Sequence, residues 1–161
     1  MKHLFPLLLT AILFCSCGQK VLLDEENTFV NNKWMRFDEP VQFSFNNDNT
    51  EDFYNFIFSV SIDTNRYHQN GLPITVELCS PNGEVRTMFS DIVLRNYQGN
   101  WLGEFDEHGI LHVSQQIRQY YAFNAVGEYS IKISQRTNKY EIEGINGIHL
   151  KIEEAIIDYP E

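Results

Sequence analysis

Tyr54-Asn55-Phe56-Ile57-Phe58-Ser59-Val60-Ser61-Ile62 decides the fold of this protein. Tyr54, Phe56, Phe58, Val60 and Ile62 recur at every second position and alternate with Asn55, Ile57, Ser59 and Ser61. Successive side chains of an extended chain point to opposite faces, so this spacing lines one face with large apolar groups. The same period runs on either side. Val41, Phe43 and Phe45 alternate with Gln42 and Ser44; Ile74, Val76 and Leu78 with Thr75, Glu77 and Cys79. Tyr129, Ile131 and Ile133 alternate with Ser130, Lys132 and Ser134; Ile148, Leu150 and Ile152 with His149, Lys151 and Glu153. Apolar-in, polar-out alternation belongs to antiparallel sheets with one wet face.

Turn chemistry separates these runs. Asn46 to Asp52 is a polar connection, and Ser80-Pro81-Asn82-Gly83 is a tight turn in which Pro presets φ and Asn-Gly accepts the left-handed region. Gly99-Asn100, Glu107-His108-Gly109 and Val126-Gly127 break further runs, and Gly144 and Gly147 flank the approach to the last one. Pro40 suits a strand start, where its missing N–H does least harm. No convincing amphipathic helix is present. Val113 to Tyr121 can be written as a turn or two of helix, and Gln116 to Phe123 equally well as a strand. Seven or eight short strands with regular turns predict an all-β protein, an antiparallel β-sandwich of jelly-roll or Greek-key type, with the strand order left open.

The N-terminus predicts where the protein resides. Lys2 precedes an apolar run, Leu4 to Phe14, that is well short of the roughly 20 residues a spanning helix needs and contains Pro6. A positive start, a short apolar stretch and a small residue before a cut site make a secretory signal peptide. Phe14-Cys15-Ser16-Cys17 resembles a lipobox, with small Ser16 before Cys17 and bulky Phe14 before Cys15. Cys17 is therefore the expected lipidation site, with acyl chains such as palmitate giving stable attachment once more than one is present. The expected organisation is a lipoprotein signal peptide over 1–16, a lipidated tether over 17–32, containing at most a short strand around Thr28-Phe29-Val30, and a β-sandwich domain over 33–161. Of three cysteines, Cys79 alone then remains without a lipid, so the core must hold the fold without an internal disulfide.

Composition agrees with one domain: 161 residues, 43% hydrophobic and 14% aromatic, are enough for a packed core and exclude wholesale disorder. Twelve basic residues face 22 acidic ones, a net charge of −10, and losing Lys2 makes the balance more negative. That opposes nucleic-acid binding, which depends on Lys and Arg against phosphate. It also opposes adhesion to anionic headgroups, so the lipid must supply the membrane affinity.

The chain offers little catalytic chemistry. His108 and His112 form an H-x-x-x-H pair, but the surroundings are β-like, and on a strand the two stand roughly 13 Å apart, too far for one metal. Asp48 to Asp52 lacks the Gly and closing Glu of an EF-hand loop, so a solvated loop is favoured over a Ca²⁺ site. No G-x-S-x-G, P-loop or dinucleotide fingerprint occurs. No metal, cofactor or enzyme activity is expected. Trp34, Tyr97 and Trp101 lie outside the alternating runs and are the candidate contacts for a partner or glycan. For Trp101 in Gly99-Asn100-Trp101-Leu102-Gly103 a structural plug at the sandwich end is favoured over an open platform.

Several segments then occur in a suggestive order: the lipobox cysteine, Trp34 before Asp38-Glu39-Pro40, Ser80 to Val85, Gly99 to Gly103, Gly127 to Ile133 and Gly144 to Glu153. Together they resemble the GldH gliding motility lipoproteins of Bacteroidota. The resemblance covers nearly the whole chain and rests on order and length more than on any one motif. It implies an envelope lipoprotein working beside the machinery that moves and secretes surface adhesins, with protein partners from that machinery and the bilayer engaged through Cys17. It carries no catalytic motif. Gly18-Gln19-Lys20 after the cysteine has no immediate acidic cluster, which points to the periplasmic face of the outer membrane. The alternative reading is a carbohydrate- or peptidoglycan-binding sandwich on a lipid anchor.

Overall fold

In a computed structural model of the chain, residues 18–37 and 40–157 are described, and Cys17 and the signal peptide lie outside them. Eight strands of seven or more residues build the body: β1 (Val21–Thr28), β3 (Val41–Asn47), β4 (Phe53–Ile62), β5 (Gly71–Cys79), β6 (Val85–Val93), β8 (Leu111–Ala122), β9 (Gly127–Gln135) and β11 (Ile145–Glu154). Three short strands, β2 (Lys33–Met35), β7 (Glu104–Phe105) and β10 (Glu141–Glu143), decorate it. The stretch left open between helix and strand is β8.

The long strands pair in nested fashion: β5 with β6, β4 with β8, β3 with β9, and β1 with β11, all antiparallel. Two further ladders, β11–β4 and β9–β5, gather these ribbons into two sheets, β1-β11-β4-β8-β7 and β3-β9-β5-β6. A nested ribbon wrapped into two four-stranded layers is a jelly roll. β2 and β10 form a separate two-stranded ribbon.

The predicted inward faces are the observed ones. Tyr54, Phe56, Phe58, Val60 and Ile62 are all essentially buried, as are Ile74, Val76, Leu78, Tyr129, Ile131, Ile133, Ile148, Leu150 and Ile152. Burying each such side chain contributes roughly 1.5–3 kcal/mol. Cys79 is half-buried with a free thiol, so among the described residues the layers are held without a disulfide.

At the end where β1 begins, Phe123, just past β8, closes the space between the sheets. Its ring meets Tyr54, Phe56 and Tyr121 from one sheet and Phe45 and Tyr129 from the other, at centroid distances of 4.8–6.0 Å. These spacings and tilts suit aromatic quadrupoles. Beside it Asn47, fully buried, donates from Nδ2 to Ala125 O at 3.0 Å.

One boundary differs from expectation. The segment 17–32, read as a tether, contains β1, which pairs with β11 from Val21↔Glu153 to Thr28↔Gly147. Its Leu23 is buried. The reason is positional: β1 is an edge strand that covers the flank of β11, and Asp24, Glu25 and Glu26 follow the apolar start, so the segment shows no period-two signal.

Phe123→Ala should destabilise the domain by about 3–5 kcal/mol, the usual cost of emptying a packed aromatic site. Urea denaturation followed by tryptophan fluorescence would measure it. A loss under about 1 kcal/mol would mean that this ring does not tie the sheets together.

Candidate interaction surface

The opposite end of the sandwich, where β1, β4, β6 and β9 finish, carries the most irregular chain. After β1, residues Val30–Asn32 make a single 3-10 turn in which Asn31 (φ 58°) and Asn32 (φ 56°) occupy the left-handed region. Asn tolerates that region better than most residues with a side chain. The turn is tied to the β10–β11 junction: Gly144 N donates to Asn32 O and Phe29 N to Asn146 O, both at 2.8 Å. Gly144 has φ 84°, and a Cβ there would meet Tyr67 N and Asp63 O at under 3 Å, so only glycine allows this crossing.

This turn reverses the chain into the β2–β10 ribbon. Phe29 stacks on Trp34 (5.0 Å, 21°), and Lys33 Nζ bridges Glu141 (3.0 Å) and Glu143 (2.9 Å). Glu143 is held below its ordinary carboxylate value mainly by its hydrogen bond from Lys33. Farther along, Phe37 and Tyr140 pair at 5.7 Å with the Arg36 guanidinium 5.5 Å from the Phe37 ring, yet both rings stay largely exposed. Between turn, ribbon and the start of β3 lies a cleft of about 500 Å³, lined by residues that include Phe29, Val30, Lys33, Trp34 and Gln42.

A second projection follows β6. Asn96 Oδ1 accepts from the backbone N–H groups of Gln98 and Asn100, and Gly99 (φ 84°) completes the turn. This hairpin brings Arg95 opposite Trp101, with the guanidinium carbon 3.6 Å from the indole centroid. A cation–π pair of this kind contributes about 0.5–2 kcal/mol. Tyr97 at the tip is 95% exposed.

The three expected contact aromatics therefore have different fates. Tyr97 stands open to solvent. Trp101 is half-buried against the core, with Arg95 on its ring face. Trp34 is 4% exposed beneath Phe29 and offers no free ring face, because the short ribbon around it is folded onto the sandwich end. Trp34 lines the cleft; neither Tyr97 nor Trp101 does. Exposed Val30, Phe37 and Tyr140 went unnoticed in the sequence, where only the pairing of β2 with β10 brings Phe37 and Tyr140 together.

Other chemistry-bearing groups resolve simply. In the Asp48–Asp52 loop the Lys20 ammonium is hydrogen-bonded to Asp48 and lies 3.9 Å from Asp52, where a cation's charge would sit. Among the described residues no group of three His, Cys, Asp or Glu side chains is placed to hold a metal. His108 sits in the turn before β8 and His112 on it. His112 links two neighbours, Nδ1 to Ser61 Oγ at 3.0 Å and Nε2 to Asp106 Oδ2 at 3.1 Å. This Ser–His–Asp chain lies on the exposed outer face of the first sheet. Ser61 belongs to β4, a central strand whose backbone is engaged by β8 and β11 on either side, so the strand has no donor pair free to stabilise an oxyanion.

Residues 21–152 match the family model described as GldH lipoprotein. The chain belongs to the GldH lipoprotein family. A relative from Christiangramia forsetii, described as a gliding motility lipoprotein GldH homolog, is 25% identical over 158 residues covering 94% of each chain. The GldH match opens at the first residue of β1 and closes within β11, so it spans the sandwich described above, both end loops included. Family membership makes the protein a lipoprotein of the cell envelope; no described helix is long and apolar enough to cross a membrane.

Four carboxylates in this GldH domain are held below their ordinary values: Asp48 chiefly by Lys20, Glu84 by Arg86, Asp106 by His112 and Glu143 by Lys33. A depressed folded pKa adds stability that is complete above the unfolded value and disappears as pH falls through the folded one. The melting midpoint should therefore be nearly level from neutral pH to about 5 and drop below about pH 4. Calorimetry across this range tests it; a drop already under way at pH 6 would contradict it.

Proposed function

We propose that this chain is a lipid-anchored, non-catalytic binding component of the gliding motility machinery, attached to the periplasmic face of the outer membrane through Cys17. Family membership supports the motility assignment, and the lipobox-like Cys15-Ser16-Cys17 with the residues after it supports the anchor and its location. The observation that carries the binding role is the far end of the sandwich. Val30, Phe37, Tyr97 and Tyr140 are each more than 60% exposed there, on short connections fixed by the two sheets. Exposed aromatic and apolar groups on a rigid scaffold, with Val30 at the edge of a cleft of about 500 Å³, suit a protein partner that desolvates them. The net charge of −10 favours a partner surface that is apolar or basic. A sugar platform draws less support, since Trp34 is covered by Phe29 and Trp101 by Arg95.

Photo-crosslinking residues at Phe37 and Tyr97 in cells should capture a defined envelope protein of the motility or secretion apparatus, and Tyr140→Ala should weaken the Phe37 crosslink. Capture of abundant porins alone, or crosslinks indifferent to Tyr140→Ala, would refute the binding role. Cys17→Ala should abolish the acyl mass and release the protein from membranes. An unmodified residue 17 in membrane-extracted wild-type protein would refute the anchor.

A further inference from the structure

The proposed anchor and the folded body are separated by almost no chain. Lys20 is already built into the sandwich: its carbonyl accepts from Glu154 N at 2.8 Å, and its ammonium reaches the Asp48–Asp52 loop. The Gln19 side chain donates to Glu154 O as well. Three residues of extended chain span at most about 11 Å, so a lipid on Cys17 must enter the bilayer within roughly that distance of Lys20. A body held so closely cannot tumble freely above the membrane.

The end it would lay down exposes a set of apolar side chains among its polar turns. Val21 opens β1 and is 44% exposed; Phe53 opens β4 and is 39% exposed. Ala155 N donates to Phe53 O at 2.7 Å, which brings the following Ile156 and Ile157, 69% and 37% exposed, to the same end. Val126, 59% exposed, precedes Gly127, which pairs with Asn47 at the close of β3, again at this end. Among the charges nearby, Lys20 is paired with Asp48 and Arg86 with Glu84, Arg118 lies against Tyr121, and Glu51, Asp52, Glu128 and Glu154 add negative charge. Acidic groups outnumber basic ones here, so the proposed contact draws on the apolar side chains and the short leash.

We infer that this end of the sandwich rests on the bilayer surface and that the strands stand up from it, carrying Val30, Phe37, Tyr97 and Tyr140 away from the membrane. A ten-residue strand is about 33 Å long, so the partner-facing end is held about one sandwich length above the lipid. The inference rests on lipidation of Cys17, and it adds the orientation and the side chains that touch the lipid.

The test uses the full, membrane-processed protein with Cys79→Ser, reconstituted into phosphatidylcholine vesicles whose headgroups carry a quencher. A fluorophore is placed at Val126→Cys or, separately, at Tyr97→Cys; both positions are exposed, and circular dichroism confirms the fold of each variant. The expected result is loss of fluorescence at residue 126 and little loss at residue 97. Equal loss at both, loss at neither, or greater loss at 97 on protein that floats with the vesicles overturns the orientation. Protein that fails to float and has an unmodified Cys17 by intact mass overturns the anchor itself, which is a different failure.

Discussion

The ladder between β1 and β11 is the constraint on which the rest of this structure turns. It joins residues more than a hundred positions apart, from Val21↔Glu153 to Thr28↔Gly147. It is the outermost pair of the nested ribbon. β11 already pairs with β4 on its other side; without β1 its free edge would present unpaired N–H and C=O groups, an invitation to pair with another chain. β1 covers that edge and replaces it with one bearing Asp24, Glu25 and Glu26, whose like charges discourage a second copy. The same ladder ties the chain from Val21 onward to the sheet, and the Lys20–Asp48 pair adds a second attachment at the strand's beginning.

What was legible in the sequence was whatever depends on one buried face set against one wet face. Strands β3, β4, β5, β9 and β11 each carry an unbroken alternation because each packs one face on the core and turns the other to water. Strand order was not legible, since nested pairing is set by contacts between distant segments that leave no local mark. β1 was unreadable for a different reason. Its inward positions Glu25 and Asn27 lie opposite Leu150 and Ile148 at the rim of the sheet, where a polar tip can reach water, so no apolar pattern is required. β8 was ambiguous because its ladder with β4 shifts register between Tyr54 and Ile57, Gln115 and Gln119 interrupt the apolar set at Leu111, Val113, Ile117 and Tyr121, and Tyr120 falls out of phase. Tyr120 even adopts φ 49°, with its N–H taken up by Asn55.

The candidate surface was half legible for a related reason. Trp34 and Trp101 stand out as aromatics outside the alternating runs, Trp34 as a contact candidate and Trp101 more as a plug at the sandwich end than as an open platform. Polar neighbours also serve as lids. Lys33 turns to Glu141 and Glu143 and leaves Trp34 under Phe29; Arg95 lays its own guanidinium on Trp101. Both coverings require backbone reversals, the Asn31–Asn32 turn and the Asn96–Asn100 hairpin, whose geometry is clear only once the chain is folded.

The two ends of the sandwich differ in how they satisfy their aromatic groups. Where β1 begins, Phe45, Tyr54, Tyr121, Phe123 and Tyr129 turn inward and seal the layers, while aliphatic Val21, Val126 and Ile156 stay exposed at the rim beside Phe53, Tyr120 and polar turns. Where β1 finishes, Phe37, Tyr97 and Tyr140 sit exposed on turns, each with a polar or π neighbour but none enclosed, and Phe105 is exposed on β7. Aliphatic groups without hydrogen-bonding handles suit a fluid, featureless phase. Tyrosines, with a flat face and a hydroxyl, suit a partner of fixed shape, because they gain contact area and a directional bond at little cost in rotamer freedom. On the orientation proposed above, one fold would hold a lipid-facing end and a protein-facing end apart by the length of its strands.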